Sequence, residues 1–145
     1  MKGQRGFTLI ELLITVAVIG IIAAIAIPNV LNAMHRGKQK RTMADVRAIA
    51  TAVEAYNVDN TAYPTATDPI VLMANVRHFL NTPITADGWG RTLQVDSAPI
   101  RYTVGSGGRD GGALNLIGGP TSSLDDAIIY SNGRFFQWPQ GSQAD

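Results

Sequence analysis

From Phe7 to Ile27 almost every position is apolar or small, and the single charge is Glu11. At about 1.5 Å rise per residue, a helix over this run reaches roughly 30 Å, the hydrocarbon thickness of a bilayer. Beyond Pro28 the pattern turns amphipathic. Val30, Leu31 and Met34, then Val46, Ile49, Ala50, Val53 and Tyr56, recur at helical spacing. Arg36, Lys38, Lys40, Arg41, Asp45, Arg47 and Glu54 fall on the other face. The spacing predicts one long helix from Phe7 to Asn57, interrupted or bent near Pro28 and Gly37, since proline removes a helix hydrogen bond and crowds the preceding turn.

The rest of the chain reads as short elements. Tyr63–Pro64–Thr65 and Asp68–Pro69 mark an irregular loop, and Ile70–Leu80 a short helix. Asp87–Gly88–Trp89–Gly90 is a turn. Two strands follow, Arg91–Asp96 and Ile100–Val104, joined by Ser97–Ala98–Pro99. Ala127–Ser131 and Arg134–Trp138 flank Asn132–Gly133, the strongest short-range hairpin signal. The pattern predicts an α+β chain whose long N-terminal helix packs on a small antiparallel sheet.

Charge and composition narrow the function. A net charge of +1 supplies no broad basic field for nucleic acid, and the basic run His35–Arg41 lacks the interleaved aromatics of a single-strand binder. That run reads as a band at headgroup level or at a subunit contact. With no cysteine there is no disulfide, thiol nucleophile or cysteine metal site. His35 and His78 lie far apart and without zinc-like spacing. The glycine-rich Gly105–Gly112 lacks the Lys-Ser/Thr of a phosphate loop. Trp89 and Trp138 read as packing residues, and no Ser-His-Asp signature is present.

Glu11 is the residue that needs a reason. A carboxylate deep in a bilayer costs about 2.5–3.5 kcal/mol, and intramembrane charges usually have partners. One reading places it near the helix end, reaching headgroups or staying protonated. The other pairs it with a cation: a cut after Gly6 would give Phe7 a new amino group one turn away, able to meet a neighbour's carboxylate. Lys2 and Arg5 precede the run as in a signal peptide, but the apolar stretch is longer than a signal core and continues in helical register. Cleavage in the Ala23–Ala26 region is the alternative. The cations after Pro28 leave orientation undecided by the positive-inside rule.

Lys2–Arg5–Gly6–Phe7–Thr8–Leu9–Ile10–Glu11–Leu12 resembles the class III leader of type IV pilins and type II secretion pseudopilins. The resemblance implies cleavage between Gly6 and Phe7 by prepilin peptidase, N-methylation of Phe7, and an assembly role for Glu11 with Phe7. Pro28 stands where the family has its helix-distorting proline. Leader removal would take the net charge from +1 to −1. Ala52–Thr65, "AVEAYNVDNTAYPT", and Asp87–Val95, "DGWGRTLQV", are similar to the major pseudopilins of type II secretion, with Gly88 in place of the proline in their D-P-W-G turn. "YTVGSGGRDGG" and "DDAII" resemble that family's glycine-rich loop and acidic pair. Ala113–Leu124 is longer and more apolar than its usual loop, and the chain runs on through a full hairpin. Absence of a C-terminal disulfide sets it apart from major type IVa pilins.

Loops as long as Ser106–Asp126 are uncommon in small domains and usually functional or disordered. Calcium would order it, taking six to eight oxygen ligands. The resemblance implies such a site and carries the ligand roles onto Asp110, Asp125 and Asp126. Without calcium, Leu114, Leu116 and Ile117 would pack the loop down as a satellite core.

The resemblance as a whole implies a type IV pilin-like fold with four parts: leader 1–6, membrane-spanning or filament-core helix 7–28, amphipathic helix 29–57, and head 58–145. It implies a structural subunit, not an enzyme, held in the lipid bilayer of the bacterial inner membrane with its head in the periplasm. Its partners would be further copies in a homo-oligomeric pseudopilus filament, prepilin peptidase, an inner-membrane assembly platform and minor pseudopilins. The rivals are a type IV pilus subunit forming an extracellular fibre, and a membrane-tethered periplasmic binding module or enzyme.

Overall fold

In the computed structural model, residues 6–141 are described, and the expected leader charges Lys2 and Arg5 lie outside them. Helix α1 spans Leu9–Asn60 as one element of 52 residues with Pro28 inside it. The interruption expected near Pro28 and Gly37 is absent. Proline removes one donor, and the Ala-, Ile- and Leu-rich turns around it carry the remaining hydrogen-bond ladder past the gap. The chain divides into two compact units between Met34 and His35. In the first unit the large apolar side chains are exposed, Leu9 at 88% and Ile19 at 65%.

The second unit is built on the C-terminal half of α1. Met43, Val46, Ile49, Ala50 and Val53 form its buried stripe, as the helical spacing requires. Asp68 caps α2, Pro69–Val76, by accepting from the Ile70 backbone N–H at 2.7 Å, and Pro69 stands where a missing N–H does no harm. This helix ends four residues short of the expected Leu80, with Phe79 N–H bonded back to Val76 O at 2.9 Å in a turn. Leu72, Met73 and Val76 join the core.

Five strands complete the unit: β1 Gln94–Ala98, β2 Arg101–Ser106, β3 Gly119–Thr121, β4 Ile128–Ser131 and β5 Arg134–Pro139. Their order is β1-β2-β4-β5-β3. Asn132 and Gly133 take φ values of 47° and 84° in the β4–β5 turn, the left-handed pair that a two-residue hairpin needs. β1 starts three residues later than expected because Arg91 and Thr92 serve the preceding turn, where Ala86 bridges Thr92. The sheet is mixed, not wholly antiparallel, because β3 pairs parallel to β5. That three-residue strand begins at the second of two left-handed glycines, Gly118 and Gly119, and contains Pro120, which gives it no alternation to read and confines it to an edge. Tyr102, Val104, Ile128 and Phe135 present the sheet's buried face to the helices, and Trp138 packs against this core, half-buried.

Candidate functional site

Two sets of residues carry the functional argument. At the N-terminus, Gly6, Phe7 and Thr8 are exposed and non-helical, and α1 begins at Leu9. A peptide bond between Gly6 and Phe7 is therefore outside the helical ladder, as a protease requires. Thr8 N–H and Oγ1 donate to Glu11 Oε2 at 2.9 and 2.8 Å, and Glu11 N–H donates to Thr8 Oγ1 at 3.3 Å. This reciprocal arrangement is a capping box, satisfying the first backbone donors of α1. Periodicity alone missed it, although the T-x-x-E spacing ahead of an apolar run was there to read. Both Thr8 donors use the same carboxylate oxygen, Oε2. Pro28 is exposed inside α1, on the apolar surface that also carries Ile27 and Val30.

The second set lies in the loop region around Ser106–Asp126. Asp110 Oδ1 accepts from Gly112 N–H at 3.0 Å, and Asp126 Oδ2 accepts from Ser123 N–H at 3.0 Å. Asp125 takes both oxygens to Arg109, whose Nε and Nη2 donate at 2.8 and 2.7 Å. Those hydrogen bonds, with the guanidinium charge, hold the Asp125 carboxyl below the ordinary carboxylate range. Among the described residues no three His, Cys, Asp or Glu side chains are gathered to hold a metal ion. Each of the three aspartates is engaged by an internal donor, Asp125 on both oxygens and Asp110 and Asp126 on one each. Leu116 and Ile117 are exposed, so the satellite core expected of them does not form; only Leu114 is half-buried, beside Gly105. The backbone at Ile117 is held by a polar side chain instead, Gln137 Oε1 accepting from the Ile117 and Gly118 N–H groups at 3.1 Å.

His35 accepts from Trp89 Nε1 at 3.3 Å, tying the Asp87–Gly90 turn to α1. His78 accepts from Arg77 Nε at 3.4 Å and is exposed. Neither histidine belongs to a metal cluster among the described residues.

Comparison with known proteins gives two family matches, over residues 1–27 and 29–115. Residues 1–27 match the family described as Prokaryotic N-terminal methylation motif. Residues 29–115 match the family described as Type II secretion system (T2SS), protein G. The chain is similar to Type II secretion system core protein G of Pseudomonas aeruginosa, 31% identical over 79% of this chain and 92% of that protein. It is 26% identical to the Klebsiella pneumoniae protein of the same name over 99% of this chain and 100% of the other. The Vibrio cholerae protein of that name is 28% identical over 77% of this chain and 87% of its own length.

Proposed function

Because the chain belongs to the family of type II secretion system protein G, we propose that it is the structural subunit of a helical pseudopilus filament in type II protein secretion. The observation that carries this reading is the succession of two matches along the chain, methylation motif over 1–27 then protein G over 29–115. It falls on a helix whose first unit exposes apolar side chains along its length and is long and apolar enough to cross a membrane. Such a surface needs cover, first a bilayer and then neighbouring copies of the same helix. The family's role is structural, and no catalytic step is assigned to this chain.

In this reading prepilin peptidase cuts after Gly6 and methylates the Phe7 amine. The chain waits in the inner membrane as a single-pass protein with its head in the periplasm. An assembly platform and minor pseudopilins then guide it into the filament. Glu11, held by Thr8, offers its carboxylate to the Phe7 amine of a neighbouring subunit.

Glu11→Val tests the pairing. The variant should insert and be cleaved as well as wild type, being more apolar. It should lose the relief of a membrane charge that pairing with the Phe7 amine supplies. Filament isolated from the cell envelope should fall sharply; undiminished filament would leave Glu11 a helix cap alone.

A further inference from the structure

The segment between β2 and β4 brings aspartates together with the arginines that meet them. Its glycines and acids suggest an open, ion-seeking segment, yet four side chains already pin it. Arg91 Nη1 donates to the Asp110 carbonyl. Gln94 Nε2 donates to Gly112 O at 2.8 Å, and its Oε1 accepts from Leu114 N–H at 3.3 Å. Gln137, fully buried, accepts from the N–H groups of Ile117 and Gly118, both at 3.1 Å, and donates to Ala127 O at 2.9 Å. Arg109 joins the two ends of the loop: its backbone N–H donates to Leu124 O at 2.9 Å while its side chain forks onto Asp125. At Gly108, φ is +80° and a Cβ would lie 2.6 Å from Asp125 O, so the two backbones are in direct contact there.

We propose that the Arg109 guanidinium is the resident cation of this loop, closing it onto Asp125 so that the head keeps its fold without calcium. A planar guanidinium matches a carboxylate with two parallel hydrogen bonds and cannot be deprotonated in the physiological range. Unlike a bound ion, it is tethered to the chain and is not lost on dilution. A calcium ion would need six to eight oxygens, whereas Asp125 is engaged by Arg109, and Asp110 and Asp126 each accept a backbone N–H of their own segment. This inference does not rest on filament assembly, and its test is independent of it.

The test is thermal melting of the full chain in detergent micelles, followed by the fluorescence of Trp89 and Trp138, in calcium chloride and in chelator. Calorimetric titration with calcium chloride accompanies it. Wild type should melt at the same temperature in both and show no calcium binding heat. Arg109→Ala should lower the melting temperature by about 2–4 °C, Asp125→Ala by a similar amount, and the double variant no further than either. Arg109→Lys, which keeps charge without the fork, should recover only part of the loss. A wild-type melting temperature that falls in chelator and returns with calcium overturns the proposal. So does an Arg109→Ala variant as stable as wild type, or a double variant whose losses simply add.

Discussion

Tyr102 Oη donates to Glu54 Oε1 at 2.8 Å, and Tyr63 Oη donates to the same carboxylate at 3.2 Å. The Tyr102 side chain is fully buried, and its oxygen also accepts from Gly133 N–H at 3.3 Å, so one phenol links α1, β2 and the β4–β5 turn. Burial, then the hydrogen bond and charge of Glu54, push this phenol well above the ordinary value of 10.0. Tyr63 and Tyr130 are raised as well, chiefly by burial. The sign of the linkage follows. Below pH 10 the phenols are protonated in both states and their contribution is complete. Above it the unfolded chain releases its protons first, so stability falls as pH rises. Melting temperature should decline above about pH 10, and phenolate absorbance should appear together with unfolding. Full tyrosine ionisation in the folded protein near pH 10 would contradict this. Helical periodicity put Glu54 on the solvent-facing side; its two tyrosine partners come from elsewhere in the chain and left no local signal. Glu11 is the converse case, since its Thr8 partner was legible three residues away.

Among the elements, the Asp87–Gly90 turn shows how a local departure answers a distant contact. Asp87 Oδ1 accepts from the N–H groups of Trp89 and Arg91, both at 2.9 Å, and Oδ2 accepts from Ser106 Oγ at 2.7 Å. Gly88 N–H donates to Thr42 Oγ1 on α1 at 2.9 Å, and that hydroxyl donates to Lys38 O at 2.9 Å. A Cβ at Gly88 would lie 2.4 Å from the Lys38 carbonyl oxygen. The glycine that stands in place of the proline of D-P-W-G is therefore fitted to α1 by contact and by hydrogen bond. Gly88→Pro should lose the donor and push the turn off the helix, destabilising the fold by about 1–3 kcal/mol. Denaturant unfolding would measure it, and unchanged stability would refute the fit. The turn and the Asn132–Gly133 hairpin were legible because their residue types dictate backbone conformation. β3 was not: a three-residue strand is defined by its partner β5, and its own Gly-Pro-Thr reads as a turn.

At the level of the whole molecule, the sequence contains two kinds of instruction. The apolar run and the T-x-x-E cap specify a helix with an exposed apolar surface, which is legible because it depends only on neighbours in the chain. The buried stripe of α1 was legible for the same reason. The fastening of the glycine-rich loop was not, because Gln94, Arg109 and Gln137 act on backbone groups that only the folded sheet brings near. The functional reading rests on the first kind of instruction, a leader ahead of an uninterrupted apolar helix. The most direct test of that claim is the intact mass and N-terminal sequence of the assembled subunits. Those subunits should begin at Phe7 and carry one added methyl group on its amine. Subunits that begin at Met1, or after an alanine between Ala23 and Ala26, would contradict it.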